Sequence, residues 1–66
     1  MITTIEYWSG RQWRPLVETK HDSLSTALSF AAGHIGETKR ETDTAQYRTI
    51  YGVIRRKRAI ITKKEY

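Results

Sequence analysis

Only one stretch of this chain repeats its apolar residues at the period of an α-helix. Leu24, Ala27, Leu28, Ala31, Ala32 and Ile35 fall at i, i+3, i+4, i+7, i+8 and i+11, with Phe30 at the margin of the stripe. Asp22 or Ser23 stands where a side-chain oxygen can accept a bond from a first-turn amide. Gly36 follows the last apolar position, where a left-handed C-cap favours glycine. The alanines on the stripe let the helix approach a sheet closely.

On both sides of this helix the sequence has the character of strands. Ile2 to Trp8 alternates Thr3, Ile5 and Tyr7 with Thr4, Glu6 and Trp8, and all but Glu6 are good strand formers. Ser9-Gly10-Arg11 reads as a turn, and Gln12 to Thr19 as the returning strand. Pro15 has no amide hydrogen for a ladder, so that strand is expected at an edge or bulged there. Trp8 and Trp13 flank the turn closely enough to face each other, a cross-strand contact worth ~0.2–1 kcal/mol.

After the helix, Glu37 to Thr44 is polar and reads as an exposed loop within residues 37–45. Gln46 to Lys64 then combines dense β-branched and aromatic residues with dense positive charge. It reads as a β-hairpin: a strand near Gln46–Ile54, a basic connection Arg55–Lys57, and a return strand near Arg58–Lys63. Tyr47, Thr49, Tyr51 and Val53 share one face of the first strand, and Gly52 marks a bulge or a close backbone approach. A basic helix over Val53–Glu65 competes, because Arg-Arg-Lys-Arg has good helix propensity. The β-branched Val53, Ile54, Ile60, Ile61 and Thr62 favour strand. The expected fold is α+β: a single 66-residue domain of ββαββ order, with one antiparallel sheet and one helix on one face. The second sheet face is left open to solvent, to a partner or to a second copy in a homodimer.

A chain this short buries only about 60% of its unfolded surface. It has no cysteine, so neither disulfide nor thiolate–metal site supports it, and a cytoplasmic setting is the default expectation. Two histidines are too few for a zinc site on their own. No apolar run approaches the ~20 residues of a membrane span. No cofactor and no membrane association are expected.

Charge is distributed unevenly. From Gln46 onward, seven Lys/Arg stand against Glu65 alone, a balance of +6, while residues 1–45 hold five Lys/Arg and six Asp/Glu, a balance of −1. Arg55, Arg56, Lys57 and Arg58 are expected at the hairpin tip, where adjacent cations repel one another unless a polyanion lies nearby. Arg48, Lys63 and Lys64 extend that footprint, and Tyr47 and Tyr51 could stack on single-stranded bases. A second set of candidates comprises Trp8, Arg11, Trp13 and Arg14 of the first hairpin, the uncharged helix face of Ser25, Thr26, Ser29 and Gly33, or both.

Chemistry of bond-making finds little support. His21 is next to Asp22, but no nucleophile arrangement accompanies them, and His34 is expected to meet the carbonyls at the helix end. The glycines form no phosphate-cradling motif. The sequence therefore predicts a non-enzymatic accessory or regulatory protein that contacts nucleic acid, or a nucleic-acid-bound complex, through the basic hairpin. The alternative is a protein-binding inhibitor or adaptor, of the kind phage and mobile elements supply, docking through the tryptophan hairpin and the helix face. That last comparison is a class-level analogy without a motif to carry it.

Overall fold

In the computed structural model, which describes residues 1–37 and 40–63, the apolar stripe forms helix α1 (Leu24–Ile35). Ser23 is its N-cap, with extended backbone and a side-chain oxygen that accepts from the Thr26 amide at 3.2 Å. Gly36 closes it at φ 79°, its amide donating to the Ala32 carbonyl at 2.9 Å.

Before the helix run β1 (Ile2–Trp8) and β2 (Trp13–Lys20); after it come β3 (Arg40–Asp43), β4 (Tyr47–Gly52) and β5 (Lys57–Thr62). The chain is thus α+β, with the expected ββαββ order and one additional strand. All five strands join one antiparallel sheet in the order β2-β1-β5-β4-β3. Helix α1 packs on one face, against β1, β5 and β4. Strand side chains alternate between faces, so the helix meets Ile5 of β1, Ile50 of β4, and Ala59 and Ile61 of β5. Ala27, Ala31 and Ile35 complete the buried cluster. Leu24 and Leu28 are half-buried against it, while Ala32 is exposed.

Pro15 meets both conditions its chemistry set. It lies in β2, an edge strand, and the register shifts beside it: Ile5 pairs with Val17, Glu6 with Pro15, and Leu16 is left between them. Gly52 marks a close approach. A β carbon there would lie 2.6 Å from Ile35 Cγ2 and 3.0 Å from the Ile35 carbonyl oxygen.

Two expectations need correction. The hairpin turn spans Val53–Arg56, closed by the Arg56 amide donating to the Val53 carbonyl at 3.2 Å. Val53 and Ile54 therefore leave the strand and Lys57 enters the next one, so the four cations do not share a tip. The return strand is central in the sheet, because β5 pairs with both β1 and β4. Ala59 and Ile61 need full burial beneath the helix, and only an inner strand provides it. Finally, part of the expected loop 37–45 is the edge strand β3, all four residues exposed; Thr38 and Lys39 lie outside the described residues. An edge strand with solvent on its flank needs no apolar residues, and this one is held by cross-strand charge. Glu41 and Asp43 both pair with Arg48 of β4.

Candidate functional site

The face of the sheet away from the helix has no described element over it. Alternation brings Glu6 and Trp8 of β1, Arg58 and Ile60 of β5, and Tyr47, Thr49 and Tyr51 of β4 onto it. Trp13 joins them from β2, directly opposite Trp8.

The aromatic rings there form one chain of contacts. Trp8 and Trp13 lie 5.6 Å apart between centroids at 62°, and Trp13 and Tyr51 lie 5.6 Å apart at 80°. Both are edge-to-face contacts, the geometry that ring quadrupoles favour. Trp13 starts on β2 and Tyr51 on β4, so the indole reaches across the two intervening strands. Arg58 holds it there. Its guanidinium carbon is 4.4 Å from the Trp13 ring centroid, and its Nε donates to Glu6 Oε1 at 2.6 Å.

The Trp13–Tyr51 contact borders two shallow hollows. One, of about 460 Å³, is lined by Trp8, Trp13, Tyr51 and Arg56. The other, of about 370 Å³, is lined by Trp13, Arg40, Thr49, Tyr51 and Arg58. Each has aromatic walls and at least one arginine.

Arg56 is the only described non-glycine residue with positive φ, at 50°. Its carbonyl accepts from the Trp8 amide at 2.8 Å, which ties the turn to the end of β1 beside the first hollow. Left-handed backbone is uncommon for a residue with a β carbon and is best tolerated where the surroundings over-determine it.

The other cations singled out in the sequence are mostly engaged within the molecule. Arg55 Nη1 donates to the carbonyl oxygens of Gly33 at 3.3 Å and His34 at 3.2 Å. It takes the position at the helix C-terminus expected of the His34 ring, which packs 4.9 Å from Phe30 instead. Arg48 is paired with Glu41 and Asp43 on the helix side of the sheet. Lys63 is paired with Asp43 and also donates to the Thr44 carbonyl at 3.0 Å. The Lys63 hydrogen bond holds the Asp43 carboxyl below the usual carboxylate range; desolvation opposes this, and the Lys63 and Arg48 charges add to it. Lys57 pairs with Gly52 and Tyr7, so it faces the helix side, opposite to Arg58. Lys64 lies outside the described residues. The basic segment is thus divided: Arg56 and Arg58 reach the aromatic face, and Arg48, Arg55, Lys57 and Lys63 do not.

The second set of residues is divided too. Trp8 and Trp13 stand together on the uncovered face. Arg11 is exposed in the turn, where Ser9 Oγ accepts from its amide at 3.4 Å. Arg14 pairs with Tyr7 and so belongs to the helix side. Thr26 is part of the helix cap, its Oγ1 3.0 Å from Ser23 Oγ, and Ser29 is exposed on the helix. With the sheet between them, one flat partner cannot meet both the tryptophans and the helix face.

Arg40, Thr49 and Glu6 are site residues that sequence reasoning missed, Arg40 because it lay within the polar loop. The signal for Arg40 was alternation: Glu41 and Asp43 fall on one side of an extended segment, and Arg40 and Thr42 on the other. Among the described residues, no group of three or more His, Asp or Glu side chains is arranged to hold a metal ion. No described helix is long and apolar enough to cross a membrane. Fold and site together define a small α+β domain with an aromatic and cationic sheet face. Comparison with known protein families, with curated proteins and with solved structures finds no match for this chain.

Proposed function

We propose that this protein is a non-enzymatic, cytoplasmic accessory factor that binds nucleic acid, or a nucleic-acid-bound complex, through the uncovered sheet face. One observation carries it: Arg40, Arg56 and Arg58 border a run of three aromatic rings that includes both tryptophans of the chain. Among the described residues, the only carboxylate found against these arginines is Glu6, which is paired with Arg58. Phosphate is the abundant anion whose geometry suits guanidinium, and rings beside it suit bases. The net charge of +5 favours approach to any polyanion.

Arg56→Gly tests this without threatening the fold, because glycine accepts positive φ freely. The variant is expected to weaken oligonucleotide binding and to reduce the slope of log affinity against log salt by about 1. An unchanged slope and affinity would remove Arg56 from the interface and the proposal with it.

A protein-docking adaptor is the second reading, favoured by the exposure of Trp8 beside an arginine. It predicts a complex that survives high salt, since screening weakens phosphate contacts far more than apolar burial.

A further inference from the structure

The two hollows on the uncovered face share the Trp13–Tyr51 contact and repeat the same chemistry. The first offers Trp8, Trp13 and Tyr51 with Arg56. The second offers Trp13 and Tyr51 with Arg40 and Arg58, and adds the Thr49 hydroxyl. They are shallow, which suits planar groups entering from a surface rather than a ligand enclosed on all sides.

We propose that this face binds single-stranded nucleic acid, taking two neighbouring bases into the two hollows, with Arg56 and Arg40 meeting the flanking phosphates. This rests on the nucleic-acid proposal and narrows it. A duplex keeps its bases stacked on one another and turns only edges and phosphates outward, so rings on a sheet face gain nothing from it. A single strand can splay its bases onto such rings, and every base has a π-face to offer. The charge pattern agrees. Glu41 and Asp43 pair with Arg48 on the helix side, while Arg40 of the same strand lines the second hollow. The edge strand thus divides its charges, acids to one face and a cation to the other.

Arg58 has a different part. Pinned between Glu6 and the Trp13 ring, it is a positioning residue that keeps the indole stretched across β1 and β5. Arg58→Lys keeps the charge but loses the planar stack and the forked hydrogen bonding. It should therefore change Trp13 emission in the free protein as well as lowering affinity.

Trp8 and Trp13 are the only tryptophans, so indole emission reads this face alone. The experiment titrates the full chain with eight-residue oligo-dT, eight-residue oligo-rU, a DNA duplex of equal length, and inorganic polyphosphate. Quenching is followed together with anisotropy of labelled strands. At least one single strand should quench the emission and bind at least about fivefold more tightly than duplex or polyphosphate. Which of the two does so separates DNA from RNA. Trp8→Leu and Tyr51→Leu should each cost about fivefold or more for the single strand and leave the salt slope unchanged, with circular dichroism verifying the fold.

Equal binding of duplex, polyphosphate and single strand, without quenching and with Trp8→Leu neutral, overturns the stacking assignment. The broader nucleic-acid proposal would then stand if Arg56→Gly still flattened the salt slope. Absence of binding to every polyanion overturns both, as would a protein partner that occupies Trp8 at high salt while no oligonucleotide binds.

Discussion

Arg55 reaches from the β4–β5 turn to the end of the helix and donates to the carbonyl oxygen of His34 at 3.2 Å. The contact satisfies a carbonyl that the last helical turn leaves unpaired and sets a cation at the negative end of the dipole. Arg55 also donates to the Gly33 carbonyl, and the neighbouring Ile54 amide donates to Glu37 Oε1 at 2.8 Å, so three bonds fasten the turn to the helix terminus. Arg55→Ala is therefore expected to lower stability by about 0.5–1.5 kcal/mol in urea denaturation. Its effect on oligonucleotide affinity should be much smaller than that of Arg56→Gly.

Adjacent Arg56 should show the reverse pattern. Its backbone holds a left-handed conformation that costs a residue with a β carbon roughly 1 kcal/mol. Glycine removes that cost but loses more backbone freedom on folding. Arg56→Gly should leave the denaturation midpoint unchanged or slightly raised while affinity falls. A large drop in stability would mean that the side chain supports the fold.

Gly52 and Gly33 make a matched pair for testing the core. A β carbon at 52 would strike Ile35, whereas one at 33 meets nothing within 4 Å. Gly52→Ala is expected to cost about 1–3 kcal/mol, because side chains or backbone must shift to admit it. Gly33→Ala, on the exposed side of α1, should stabilise by about 0.4–1 kcal/mol. Opposite signs in thermal melts of the two variants would establish the packing of the helix on β4.

The helix was legible in the sequence because its determinants are local. Ser23, the apolar spacing and Gly36 all lie within a few residues of what they control, and each serves as its chemistry suggests. Pro15 and Gly52 were legible for the same reason, as both restrict the backbone at their own positions. Strand order was not, because it depends on which distant strand needs burial. Ala59 and Ile61 drew β5 to the centre of the sheet, and nothing next to them in the chain says so. The cations suffered most from this. Arg58 and Glu6 are 52 residues apart in sequence, so four adjacent positive charges look free when one of them is already paired. Alternation then sent Lys57 and Arg58 to opposite faces. The tryptophan pair was legible from the turn between them, but its extension to Tyr51 required knowing that only two strands intervene.

Thr3 is fully buried, and its hydroxyl has no hydrogen-bond partner among the described residues. An unpaired polar atom in the core costs about 1–3 kcal/mol relative to one that is satisfied. Valine has nearly the same shape and keeps the β-branch that a strand favours. Thr3→Val should therefore raise stability by about 1 kcal/mol, measured as a shift of the urea midpoint at unchanged slope. A loss of stability would indicate that a water molecule satisfies the hydroxyl.

Asp43 couples the β3 edge to pH. Its carboxyl is held below the ordinary range first by the hydrogen bond from Lys63, with the Lys63 and Arg48 charges adding to it against a desolvation cost. A carboxylate with a lowered folded-state pKa binds fewer protons folded than unfolded at intermediate pH. Its contribution is therefore complete above the unfolded pKa and fades as pH falls through the folded one. The β3–β4 edge should accordingly loosen on acidification below the usual carboxylate range, detected as faster exchange of the Thr44 amide, which donates to the Tyr47 carbonyl. Lys63→Met removes the leading cause, so the Asp43 carboxyl should titrate closer to its ordinary value in an NMR experiment. The remaining Arg48 charge keeps it from returning completely. Added salt should shift the Asp43 titration upward in the wild type and much less in the variant, since both the ion pair and its neighbour are solvent-accessible. An Asp43 titration identical in the two proteins would mean that Lys63 holds only the Thr44 carbonyl.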